Sequence, residues 1–125
     1  DLETALFVLL HLFGHTVQWN ISEEYREIGH DLSPGKDAGT MRKIEEYERN
    51  ATRYSLALLH EAGVTDMDPW VSDMFAADWK FLEHFYKTGQ RLDYRNLYRP
   101  GAGMLLTLLE IPKFQPQRWV SRWAF

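Results

Sequence analysis

The most constraining feature of this chain is an apolar run from Ala5 to Val17, broken by two histidines four residues apart, His11 and His15. Residues 2–18 read as one helix that is apolar nearly all round. At 100° per residue, Leu2, Leu6, Leu9, Phe13 and Val17 share one face, and Thr4, Val8, His11 and His15 share the opposite one. A helix apolar on every side is expected at the centre of a fold, with structure packed on both faces. The run lacks a basic leader and is too short to span a bilayer, so neither a signal peptide nor a membrane anchor is expected.

The rest of the chain also reads as helical. Asn20 is the expected start of a short polar helix ending near Gly29. A loop follows through Ser33-Pro34-Gly35 and Gly39. Thr40 is the expected N-cap of the longest helix, 41–62, stopped by Gly63. Asp68-Pro69 reads as N-cap then first turn of a helix through Lys87 that ends at Gly89. Arg99-Pro100-Gly101 is a turn and Met104–Glu110 is expected to be helical. No strand, repeat or linker stands out. The expectation is one mainly α, compact domain over residues 1–125, built around a central buried HxxxH helix. The chain enters the apolar run directly from Asp1, so a further N-terminal segment is expected upstream.

Composition limits the chemistry. With 125 residues, five Trp, six Tyr and seven Phe, the chain can bury a real core. The formal net charge is −4 and the basic residues are scattered, which argues against a nucleic-acid surface. There is no cysteine, so a metal would be held by His and carboxylates. The same absence fits a cytoplasmic protein.

Inward polar residues carry the functional signal. On helix 41–62 the buried stripe is Met41, Ile44, Tyr47, Ala51, Tyr54, Ser55, Leu58, Leu59 and Ala62. Glu45, Glu46 and Arg49 project away from it, whereas Glu48 lies inside it. On helix 69–88, Asp78 interrupts a stripe of Val71, Met74, Phe75, Phe81, Leu82, Phe85 and Tyr86, while Asp73, Lys80, Glu83, His84 and Lys87 are expected to face out. A desolvated carboxylate needs a cation, a hydrogen-bonding partner or a metal. The i, i+4 histidines lie about 6 Å apart along the helix axis on one face. Two His and one Glu form a standard zinc set, although a lone inward His or Asp is more often a satisfied core residue.

These residues carry a resemblance. "HLFGHTVQW" resembles the active-site helix of zincin metallopeptidases, whose pattern is H-E-x-x-H. "ERNATRYSLALL", from Glu48, is similar to the E-x-x-A-[ND]-x-F-A-x-x-L-L helix of the ImmA/IrrE type. The resemblance covers roughly residues 2–62. It implies His11, His15 and Glu48 as ligands of one zinc ion, with Thr52 at a position that supports the ligands. It also implies a protein partner such as a helix-turn-helix repressor. The sequence departs from the pattern at three points. Leu12 occupies the position of the general-base glutamate, Thr52 replaces Asn or Asp, and the family's small N-terminal sheet is not in this chain. A catalytically impaired, pseudoenzyme-like peptidase domain is therefore expected. Asp78 is the candidate substitute for the base, provided that its helix reaches the metal.

Two other readings compete. His30-Asp31 with Asp78 fits an HD-type, metal-dependent phosphohydrolase, though "SEEYREIG" before His30 is too polar for the buried helix such a pair requires. A non-enzymatic helical interaction module would use aromatics such as Trp119 and Trp123 as a binding edge.

Overall fold

The computed structural model describes residues 1–31 and 33–116. Four helices account for most of them: α1 Leu2–Ile21, α2 Glu23–His30, α3 Ala38–Glu61 and α4 Asp68–Thr88. A short 3-10 turn, Tyr94–Asn96, follows, and no strand occurs among the described residues. The mainly α architecture agrees with the sequence reading. The aromatic pair Trp119 and Trp123 lies outside the described residues.

Local chemistry sets the helix ends, in several cases differently from expectation. Asp1 caps α1 by accepting from Thr4 N at 2.8 Å. The helix runs on to Ile21, where Ser22 does double duty. Its N–H donates to Gln18 O, and its Oγ accepts from Tyr25 N at 3.2 Å, so Ser22 rather than Asn20 starts the polar helix. Asp37, not Thr40, caps α3: its carboxylate accepts from Thr40 N at 2.7 Å, starting the helix three residues early. Gly63 and Gly89, at φ 83° and 74°, end α3 and α4 in the left-handed geometry expected of them. Asp68 does not cap α4. It opens the helix and its Oδ1 instead meets His60 Nε2 at 2.8 Å.

α1 and α3 pack closely because both are small where they touch. A Cβ built on Gly14 would lie 1.8 Å from Ala51 O, so only glycine permits this approach. Around the contact, Phe7 of α1, Leu56 of α3 and Val71, Met74 and Phe75 of α4 form the main core with Leu106. A smaller cluster joins Met41 and Ile44 to Tyr86.

Three expectations about burial need correction. α1 is not covered on both faces by the described residues: Leu2 is 84% exposed and Leu9 68%. Its buried side is the one bearing Phe7, His11, Gly14, His15 and Gln18. Ala62, assigned to the buried stripe of α3, is exposed beyond the helix end, while Leu56 and Ala57 are buried. Asp73, expected to face out, is buried and accepts from Gly101 N and Gly103 N, both at 2.8 Å. That clamp is part of why Met104–Glu110 is not helical. The segment is drawn out across α3 and α4 by Leu106 N donating to Ser72 Oγ and Leu109 N to Arg53 O. Its backbone groups are thus committed to other elements, and a helix would withdraw them.

Candidate metal centre

His11, His15 and Glu48 meet between α1 and α3, all buried. His11 Nε2 lies 2.7 Å and His15 Nε2 3.1 Å from the same atom, Glu48 Oε2. Each imidazole is also held from behind. His11 Nδ1 is 2.9 Å from Thr52 Oγ1, and that hydroxyl spends its one proton on Glu48 O at 3.2 Å. The hydroxyl can therefore only accept from His11, which places a proton on Nδ1. His15 Nδ1 is 2.9 Å from Gln18 Oε1, and the amide is oriented by Gln18 Nε2 donating to Tyr47 O at 2.8 Å. Gln18 is fully buried, so its oxygen faces His15 and makes Nδ1 the donor there too.

The consequence is chemical. With both Nδ1 positions protonated and occupied, both Nε2 atoms direct their remaining valence at one carboxylate oxygen. Three electron-rich atoms converge, and a cation must lie among them, either as protons on the imidazoles or as a metal ion. The group could hold a metal ion: one donor atom from each residue lies within 4.8 Å of the others. Tetrahedral bonds of about 2.0–2.1 Å separate ligand atoms by about 3.3 Å, so the Glu48 oxygen, at 2.7 and 3.1 Å from the two nitrogens, would have to draw back by a few tenths of an ångström to admit the ion. Aromatic rings fix the imidazole planes. Tyr47 and Trp19 stack on His15 at centroid distances of 4.5 and 5.7 Å, and Phe7 stacks on His11 at 5.5 Å.

Electrostatics agree with a cation-seeking site. Burial pushes the Glu48 pKa up, but the charge of His15, hydrogen bonds from both imidazoles and the charge of His11 outweigh it. The net result holds Glu48 below the ordinary carboxylate range. Burial alone lowers the His11 pKa. The hydrogen bond and charge of Glu48, with the charge of Asp78, more than reverse this and raise it.

The site lines a cavity of about 430 Å³ whose walls are mainly apolar, including Ile44, Phe81, Leu82 and Phe85. Leu12 and Asp78 line it as well, so α4 does bring Asp78 to the cavity shared with the two histidines. Asp78 is half-buried, and burial pushes its pKa up to about 6; attraction to His11 opposes this and repulsion from Glu48 adds to it. The other HD residues are elsewhere. His30 is exposed at the end of α2, and Asp31 is exposed and paired with Lys36 at 2.8 Å. Among the described residues they do not join Asp78 in any group spaced for a metal.

Sequence reasoning selected the three donors and Thr52. It missed Gln18, although position 18 lies one heptad beyond His11 on the same helix face, where a buried amide needs a polar partner. No family model, curated protein or solved structure matches this chain.

Proposed function

We propose that this chain is a zinc-binding, metallopeptidase-like domain, impaired in catalysis at position 12, that acts by binding a protein partner such as a helix-turn-helix repressor. The observation that carries the metal reading is the convergence of His11 Nε2, His15 Nε2 and Glu48 Oε2, with each Nδ1 already tied by a hydrogen bond. Two neutral imidazoles and one carboxylate are a standard catalytic zinc set, which leaves a fourth position open. Bound there, zinc would polarise a carbonyl and lower the pKa of water.

The chain's own residues explain the impairment. Leu12 is half exposed and lines the cavity, in the turn of α1 between the two histidines. Its hydrocarbon side chain can neither accept nor return a proton, and general-base help is worth about 10²–10⁴-fold in rate. Ligand binding survives that loss, because Leu12 does not touch the donors' hydrogen bonds. The apolar walls suit an apolar side chain of a protein partner. The repressor-like identity of that partner rests on the ImmA/IrrE resemblance, and a cytoplasmic location on the absence of cysteine. Among the described residues, no helix is long and apolar enough to cross a membrane.

The test is elemental analysis of the purified protein beside His11→Ala and Glu48→Ala. Stoichiometric zinc in the parent, lost from both variants, supports the reading. Equal metal content in all three, or none in the parent, overturns it. Leu12→Glu then addresses the impairment: hydrolysis of a repressor-type protein is expected to appear only in that variant.

A further inference from the structure

We infer that Asp78 is the second anchor of this site: a carboxylate across the cavity that accepts a hydrogen bond from the N–H or O–H of a ligand whose oxygen binds the metal. The inference rests on the metal reading above and adds the class of ligand. That class is a group with a metal-binding oxygen beside an acidic N–H or O–H, as in a hydroxamate.

Glu48 and Asp78 are the two carboxylates lining the cavity, and they stand on different helices. Glu48 is committed to both imidazoles. Asp78 is not committed: no group among the described residues hydrogen-bonds its carboxyl. Tyr94, whose buried hydroxyl likewise has no hydrogen-bond partner, feels the charge of Asp78 without bonding to it. Asp78 also lies outside the set of donor atoms packed within 4.8 Å of one another, so it is not a fourth ligand in this geometry. It nevertheless interacts electrostatically with His11 and Glu48. A carboxylate that lines the same cavity as the donors, but stands outside their ligating set, can meet a group that enters the cavity to reach the metal.

The alternatives on the cavity wall fit this role poorly. Leu12 is apolar, Arg91 lines the cavity but can only donate, and the Tyr47 hydroxyl already accepts from Trp19 Nε1 at 2.9 Å and carries no charge. The groups facing Asp78 are His11 of α1, Glu48 of α3 and Tyr94 of the 3-10 turn. None completes its hydrogen-bonding capacity. A half-buried carboxylate without a partner is costly, and a ligand donor would offset that cost.

The test uses the cobalt(II)-loaded chain titrated with acetohydroxamate and followed by visible absorption. The parent is expected to bind the probe, and Asp78→Asn to bind cobalt with unchanged stoichiometry but the probe about tenfold or more weakly, the loss of one charge-assisted hydrogen bond. Equal probe affinity in the two proteins overturns the inference while leaving the metal site standing. So does a parent that binds cobalt but no probe, or loss of cobalt itself from Asp78→Asn, which would make Asp78 a ligand. A parent that takes up no cobalt overturns the inference together with the metal reading.

Discussion

Glu48 on α3 and Asp78 on α4 interrupt their apolar stripes in the same way, yet the two walls of the cavity treat them oppositely. Beside α3, the packed helix α1 surrounds Glu48 with imidazoles that are themselves braced by Thr52 and Gln18, so Glu48 is held ionised. The α4 wall offers Asp78 no hydrogen-bonding partner among the described residues, and burial favours its protonated form. Desolvation is common to both. What separates a structural anchor from an open anchor is whether nearby side chains were placed to answer the charge.

The largest test breaks the α1–α3 contact that creates the Glu48 wall. Gly14→Val is expected to destabilise the fold by about 3 kcal/mol, because its Cβ would collide with the Ala51 backbone, which cannot rotate away. A shift in the denaturant midpoint measures this, and an unchanged midpoint would show that the helices are not held so closely.

The two carboxylates should then respond to pH with opposite signs in metal-free protein. Glu48→Gln is expected to cost about 3 kcal/mol near neutrality, since it strands buried imidazoles. The Glu48 pKa is lowered on folding, so its stabilisation is present above the ordinary value of 4.5 and lost as pH falls through the depressed folded value. The His11 pKa is raised, so its share is present below 6.5 and lost as pH rises through the folded value. Asp78 behaves in reverse to Glu48. Its pKa rises from 3.8 to about 6, so stability is lost as pH climbs through that window. Asp78→Asn is therefore expected to stabilise by about 1–2 kcal/mol above pH 6, after discounting for partial exposure, and to change little near pH 3. Urea melts of both variants across pH 3–8 check the signs. Two variants that respond alike would erase the contrast.

A further test concerns bracing. Thr52→Val keeps shape but removes the acceptor at His11 Nδ1, and is expected to weaken zinc by about 10–100-fold in chelator competition. Unchanged affinity would mean that the hydroxyl does not orient the ring.

Much of this contrast was legible in the sequence. Helical spacing alone placed His11 and His15 together and separated Glu48 from Glu45 and Glu46, because a carboxylate within an apolar stripe is visible as a break in period. Asp78 was found by the same reasoning, but not its lack of a partner, which depends on what α1 and α3 present to α4. Gln18, at the end of the helix read over residues 2–18, was not singled out, because periodicity at a helix end does not show what packs over it; it is fully buried. Asp73 was misassigned because its burial comes from a loop some thirty residues later, a contact that periodicity does not encode. The exposure of Leu2 and Leu9 was hidden for a related reason: composition shows that a face is apolar, not what covers it.

The central claim is that two imidazoles and one carboxylate of this chain share a metal ion. Zinc K-edge X-ray absorption on the purified protein tests it most directly. The account predicts a four-coordinate site with outer-shell scattering from two imidazoles and light-atom ligands at about 2.0–2.1 Å, and loss of the imidazole signal in His15→Ala to a single ring. A spectrum without imidazole scattering, or one that His15→Ala leaves unchanged, would contradict it.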